Sequence, residues 1–143
     1  MRKKLDKNIY RVIDANFNRA KEGLRVCEDI CRFVWNSRSL TKQFKDLRHA
    51  LTGVVSVAWR DEGVRTREVL RDQGRFSIRT ELTRSGVADI FYANSQRVKE
   101  SIRVLEEFAK LFDPQQAEAL KGLRYRVYIL EQKGLLPLRR WRQ

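Results

Sequence analysis

A chain of 143 residues with 31 Lys and Arg against 18 Asp and Glu carries a formal charge of +13 at neutral pH, and 42% of it is hydrophobic. That length gives one domain with a real core and excludes a barrel enzyme of about 250 residues; the composition excludes a disordered chain. The charge makes polyanions the expected partners, whether nucleic acid, an acidic membrane surface or a small molecule bearing several phosphates. No apolar run is long enough for a membrane span, and the opening Met1-Arg-Lys-Lys-Leu-Asp6 lacks the apolar stretch of a signal peptide, so a cytoplasmic protein is expected.

The first predicted helix runs from about Asn8 to Trp35, with Asp6 or Asn8 as its cap. Ile13, Phe17, Ala20, Leu24, Cys27, Cys31 and Val34 step by four and three alternately, the seam of a helix packed against other helices. The two cysteines lie on that seam and read as small core residues; a disulfide is disfavoured in the cytosol, and no metal-binding partners stand nearby. Beside the seam runs the polar series Asn16, Arg19, Glu22, Arg25, Glu28, spaced by three. Its members drift about 60° round the helix at each step. Asn16 and Glu28 therefore flank the seam, while Glu22 and Arg25 lie nearly opposite it.

The polar run Asn36-Ser-Arg-Ser39 ends this helix, and a second follows from Leu40 with Phe44, Leu47, Leu51, Val54 and Ala58 at seam spacing. The short connection makes the two antiparallel neighbours. From 60 to 85 the periodicity fails. This stretch holds seven arginines, Gly63 and Gly74, with a helical piece expected around Arg65 to Arg71. A connection of that length inside a compact domain is functional or disordered; Asp72, Gly74, Glu81 and Arg84 offer carboxylates, a flexible turn and a guanidinium, and favour a functional loop.

A third helix, about Gly86 to Phe112, repeats the polar series as Asn94, Arg97, Glu100, Arg103, Glu106, at an offset of 78 positions, with its seam in the same register. Asp113 and Pro114 then read as a cap and first helical residue of a fourth helix, which Gly134 and Pro137 are expected to stop near Lys133. Within it Leu123-Arg124-Tyr125 echoes Leu47-Arg48-His49 at an offset of 76. The expected architecture is thus all-α: a four-helix antiparallel bundle made of a duplicated hairpin, repeat 1 at 8–59, a loop at 60–85, repeat 2 at 86–134 and a mobile basic tail at 135–143.

Standard nucleotide-binding glycine loops are absent from the sequence, and His49 is the sole histidine, so Ser-His-Asp catalysis and a histidine metal site are set aside. What the repeats offer is arginine with carboxylate. Guanidinium forks grip phosphate oxygens in pairs, and Mg2+ generally takes one or two carboxylates together with substrate phosphates. Phosphoryl transfer asks a protein mainly for positioning and charge neutralisation. The same residues also admit a plainer use, a ladder of Arg–Glu pairs on a wet helix face, worth a few tenths of a kcal/mol per pair.

The run from Arg11 through Asp14, Asn16, Arg19, Glu22, Gly23 and Arg25 to Glu28 and Phe33 resembles the small helical domain fused ahead of some thiamine-phosphate synthases and sometimes free-standing. Further matches are Leu47-Arg48-His49, Asp72 with Gly74, Glu81 with Arg84, Ala93-Asn94-Ser-Gln-Arg97, Arg103-Val-Leu-Glu106 and Leu123-Arg124-Tyr125. Gln73 departs from the pattern, which expects valine there. That family is described as a monofunctional hydroxymethylpyrimidine-phosphate kinase. The resemblance implies ATP and Mg2+ as cofactors and 4-amino-5-hydroxymethyl-2-methylpyrimidine phosphate as substrate.

On charge logic Asn16, Arg19, Arg25, Arg48, Asn94, Arg97, Arg103 and Arg124 are assigned to phosphate and substrate, and Glu28 and Glu106, with Asp72, to Mg2+. The pocket would need the 60–85 loop or a second subunit of a homo-oligomer to close it. Two other readings compete: a non-catalytic domain docking on a thiamine-phosphate synthase, and a basic nucleic-acid-binding module. Against the latter, each arginine of the series has a glutamate three residues on, which cancels the potential a phosphate backbone would meet.

Overall fold

The computed structural model describes residues 6–136 apart from 56, with no side chain described at 57, 58, 79 or 80; most of the tail at 135–143 therefore lies outside the described residues. It contains five α-helices and, among the described residues, no strand: α1 (Lys7–Asp29), α2 (Arg38–Val54), α3 (Val57–Arg65), α4 (Val87–Ala109) and α5 (Pro114–Leu135). The caps are those the sequence writes. Asp6 accepts from the Asn8 amide, and Asp113 from those of Gln115 and Gln116 with Pro114 in the first turn. Between α1 and α2 the helix widens into a π-helical turn over Ile30–Val34. Asn36 then takes a positive φ of 51°, a conformation asparagine tolerates better than most residues, and Ser37 caps α2.

Packing joins α1 to α4, α1 to α2, α4 to α5, α2 to α5, and α3 to α1. The contacts fix the sense of the central pair. Gly23 of α1 lies against the Asn94 carbonyl and Val98, while Cys27, one turn on, donates its thiol to the Phe91 carbonyl at 3.7 Å, one turn earlier on α4. So α1 and α4 run antiparallel, and Gly23 lets their backbones approach where any Cβ would sit 2.7 Å from Val98. The seam residues meet in one core, in which Leu24, Phe44, Leu47, Leu51, Phe91, Val98 and Ile102 are fully buried. Phe91 is wedged between Trp35 and Phe44, with ring centroids 4.8 and 5.7 Å away. At about 2 kcal/mol for each large apolar side chain removed from water, this seam drives assembly of the four long helices.

Three sequence expectations shift. The second helix stops at Val54 and restarts as α3, so the helical part of the connection is 57–65 and not 65–71; beyond it only short 3-10 turns occur, at Val69–Arg71, Gln73–Arg75 and Arg79–Leu82. Gly134 does not stop α5. It lies inside the helix because its bare Cα abuts the Phe91 ring, where a Cβ would come within 2.7 Å. Gly63, read as a loop glycine, is likewise a close-approach residue, set against Asp14.

Candidate functional site

The residues shared by the two repeats make the same bonds in both. Asn16 donates its amide to the Val12 carbonyl at 2.9 Å, and Asn94 to that of Ile90 at 2.8 Å. Glu28, 4% exposed, receives both arms of Arg48 at 3.1 and 3.3 Å; Glu106, 2% exposed, receives both arms of Arg124 in the same way. Each bridge clasps the two helices of its hairpin. Burial would penalise either charge alone, and the bidentate geometry compensates it. Arg25 and Arg103, both half in water, add weaker ties to Glu28 and Asp29, and to Glu106 and Glu107.

This places several of the predicted site residues in hairpin bridges: Glu28, Glu106, Arg48 and Arg124 hold helix to helix, and Arg25 and Arg103 back them. The antiparallel crossing also separates the two glutamates by about sixteen residues along the pair, or roughly 24 Å at 1.5 Å per residue. They cannot share one ion. Among the described residues no three His, Cys, Asp or Glu side chains come together as a metal cluster.

The first repeat nevertheless builds a cleft, of about 670 Å3, between the N-terminal half of α1 and the chain after α3. Asn16, Arg19, Glu22 and Asp72 line it, joined by Asn8, Arg11, Asn18 and Glu68, which the sequence reading did not single out. Its closure rests on Arg67, whose guanidinium grips the buried Asp14 carboxylate through two bonds of 2.6 and 2.8 Å. Lys7 and Arg11 hold Glu68 at 2.8 and 3.6 Å, and Lys7 above all keeps that carboxyl below its ordinary range. Asp72 accepts from the Gly74 amide at 2.8 Å, which shapes the turn at the rim.

Of the other predicted residues, Asn94 and Arg97 do not line the cleft, and Arg97 is exposed. Glu81 accepts from the Ile78 amide and Arg84 donates to the Thr83 carbonyl, both on the exposed part of the loop. The expectation that both copies of the series face one cavity is therefore not met in this cleft: the first copy, over which the loop folds, lines it, and Asn94, Arg97, Arg103 and Arg124 do not. A second hollow, of about 440 Å3 and mostly apolar, lies along the end of α5 between Tyr128 and Leu136.

One signal could have found Asp14. It has no counterpart in the second repeat, where the equivalent position is Tyr92, and a charge that breaks a duplication marks a place where the two halves do different work. Arg67 carried no such mark, being one arginine among seven in an aperiodic stretch.

An internally duplicated helical protein with a polar, arginine-bearing cleft is the class that fold and site define. The chain belongs to the ThiD2 family, whose pattern matches residues 11–133. It is similar to a protein named thiamine-phosphate synthase from Synechocystis sp., 44% identical over 130 residues, covering 90% of this chain and 36% of that protein. Similar matches are proteins of the same name from Nostoc sp., 41% identical over 131 residues (90% and 36%), and Rhodopirellula baltica, 32% over 123 (85% and 33%). The chain thus spans about a third of the length of these relatives. No solved structure matches it. No helix among the described residues is long and apolar enough to cross a membrane.

Proposed function

We propose that this chain acts in thiamine biosynthesis and transfers a phosphoryl group from ATP to 4-amino-5-hydroxymethyl-2-methylpyrimidine phosphate, in the cleft between α1 and the 66–72 segment. Family membership supports the pathway. The single observation that carries the site is the Asp14–Arg67 clasp, which folds the loop over the part of the polar series that is not spent in hairpin bridges. Arg19 and Arg11 supply guanidinium donors to phosphate oxygens. Asn16, its amide already bonded to Val12, presents its carbonyl oxygen as an acceptor for the amino group of a pyrimidine. Of the four carboxylates lining the cleft, Asp14 and Glu68 are held by cations; Glu22 and Asp72 would hold Mg2+ together with the substrate phosphates, and the ion would neutralise charge on the transferring group.

The test is ADP formation with the pyrimidine phosphate. Arg19→Ala is expected to cut kcat/KM about a hundredfold, in line with the loss of one preorganised donor to a charged transition state, while Arg97→Ala changes it little. Turnover unaffected by Arg19→Ala would remove this assignment.

A second reading is favoured by the length of the relatives and by one surface. Val69, Leu70, Phe76, Ile78 and Leu82 of the loop are all exposed, as in a segment that docks on a larger partner such as a thiamine-phosphate synthase. Absence of ADP formation, with co-elution with a synthase that Phe76→Asp abolishes, would favour it over the kinase.

A further inference from the structure

The duplication supplies an internal control for every charged residue it contains, and one pair fails the comparison. Lys21 and Lys99 stand 78 positions apart, as the repeat requires. Lys99 is buried and neutralised: its ammonium reaches the Glu131 carboxylate at 3.0 Å, and the Tyr128 ring lies 4.4 Å away. At the offset of 76 that relates the second helices, the place of Glu131 is taken in the first hairpin by Val55. Among the described residues no carboxylate pairs with Lys21. Its ammonium donates to the Thr52 hydroxyl, which in turn donates to the Arg48 carbonyl at 3.2 Å.

Two more cations surround it in place of an acid. Arg60 of α3 and Lys21 share the Phe17 ring, at 5.5 and 5.8 Å from its centroid. The Arg60 Nε is buried without a hydrogen-bond partner, the sole side-chain nitrogen or oxygen in that condition among the described residues. An unsatisfied buried donor of this kind costs about 1–3 kcal/mol. Arg48 completes the group, but its own guanidinium is taken by Glu28. Burial first, then the charges of Arg48 and Arg60, pull the Lys21 pKa below its ordinary value, and no anion figures among the causes.

We propose that Lys21 and Arg60 form an anion site for a phosphate group beside the Phe17 ring, with Thr52 holding the lysine in position. A tetrahedral oxyanion accepts from an ammonium and a guanidinium N–H at once, and supplies the counter-charge that this group of cations lacks. Neither Lys21 nor Arg60 lines the cleft. The site therefore stands independently of the kinase reading.

The experiment uses the full chain, with inorganic phosphate and glycerol phosphate as probes at ionic strength held constant with NaCl, read by calorimetry and by melting temperature. Saturable one-to-one binding of phosphate is expected, weakened about tenfold or more in Lys21→Gln and in Arg60→Gln, each of which removes a charged hydrogen bond. The surface variant Lys45→Gln should bind as the parent does. Thr52→Glu, which sets a carboxylate beside Lys21 in place of the hydroxyl, should raise the melting temperature in phosphate-free buffer and abolish the response to phosphate. Glycerol phosphate binding as well as phosphate would assign the site to esters; binding of inorganic phosphate alone would assign it to the free ion. No saturable binding by the parent, or an affinity unchanged from the parent in both Gln variants, would overturn the proposal.

Discussion

Glu28 and Glu106 decide between a structural and a metal-binding use of the repeated carboxylates. Removing either would strand a guanidinium that is itself only 17% or 13% exposed. Breaking a buried pair from one side costs about 3 kcal/mol. Glu28→Ala and Glu106→Ala are therefore each expected to lose about that much unfolding free energy in urea, in buffer free of divalent ions. Their separation makes the double variant additive to within about 0.5 kcal/mol. A loss seen only when Mg2+ is present would instead return these residues to metal binding. At this scale the sequence left both uses open, because a glutamate in an Arg–Glu series reads the same whether its partner is a helix or a ligand.

At the scale of elements, α3 and the short turns after it are what the two halves do not share. In the second repeat α5 runs on without a break. In the first, α2 ends at Val54, and the chain lays α3 on α1 and carries Arg67 to Asp14. Gly63 permits that contact, since a Cβ there would come within 2.5 Å of the Asp14 Cβ. Gly63→Ala should therefore destabilise by about 1–2 kcal/mol through overpacking, even against a helix-propensity gain of about 1 kcal/mol. It should also lower turnover by displacing Arg67. Gly122→Ala is the matched control: its added methyl meets nothing, so stability should rise by the propensity term alone. Equal responses to urea in the two variants would mean that α3 does not press on Asp14 as described.

The whole chain carries thirteen more positive than negative charges in 143 residues. The hairpin bridges are internal to that excess and do not reduce it, so the compact state repels itself. Screening should relieve this. Raising NaCl from about 20 mM to about 300 mM is expected to lift the melting temperature by a few degrees, and a flat or falling response would show that exposed ion pairs outweigh the net repulsion.

At that same scale the division between sequence and structure is plain. Caps, seam and duplication were legible along the chain because each depends on residues three or four apart on one helix: Asp6, Asp113, the run from Ile13 to Cys31 and its echo from Phe91 all act locally. The sequence by itself therefore determined an all-helical protein built from a repeated hairpin. Only the tertiary structure decided which copy faces a cleft, that Glu28 and Glu106 lie at opposite ends of an antiparallel pair, and that Lys21 lacks the acid Lys99 has. Those facts follow from the crossing of α1 with α4 and the landing of α3 on α1, contacts between residues tens of positions apart whose geometry no local spacing encodes.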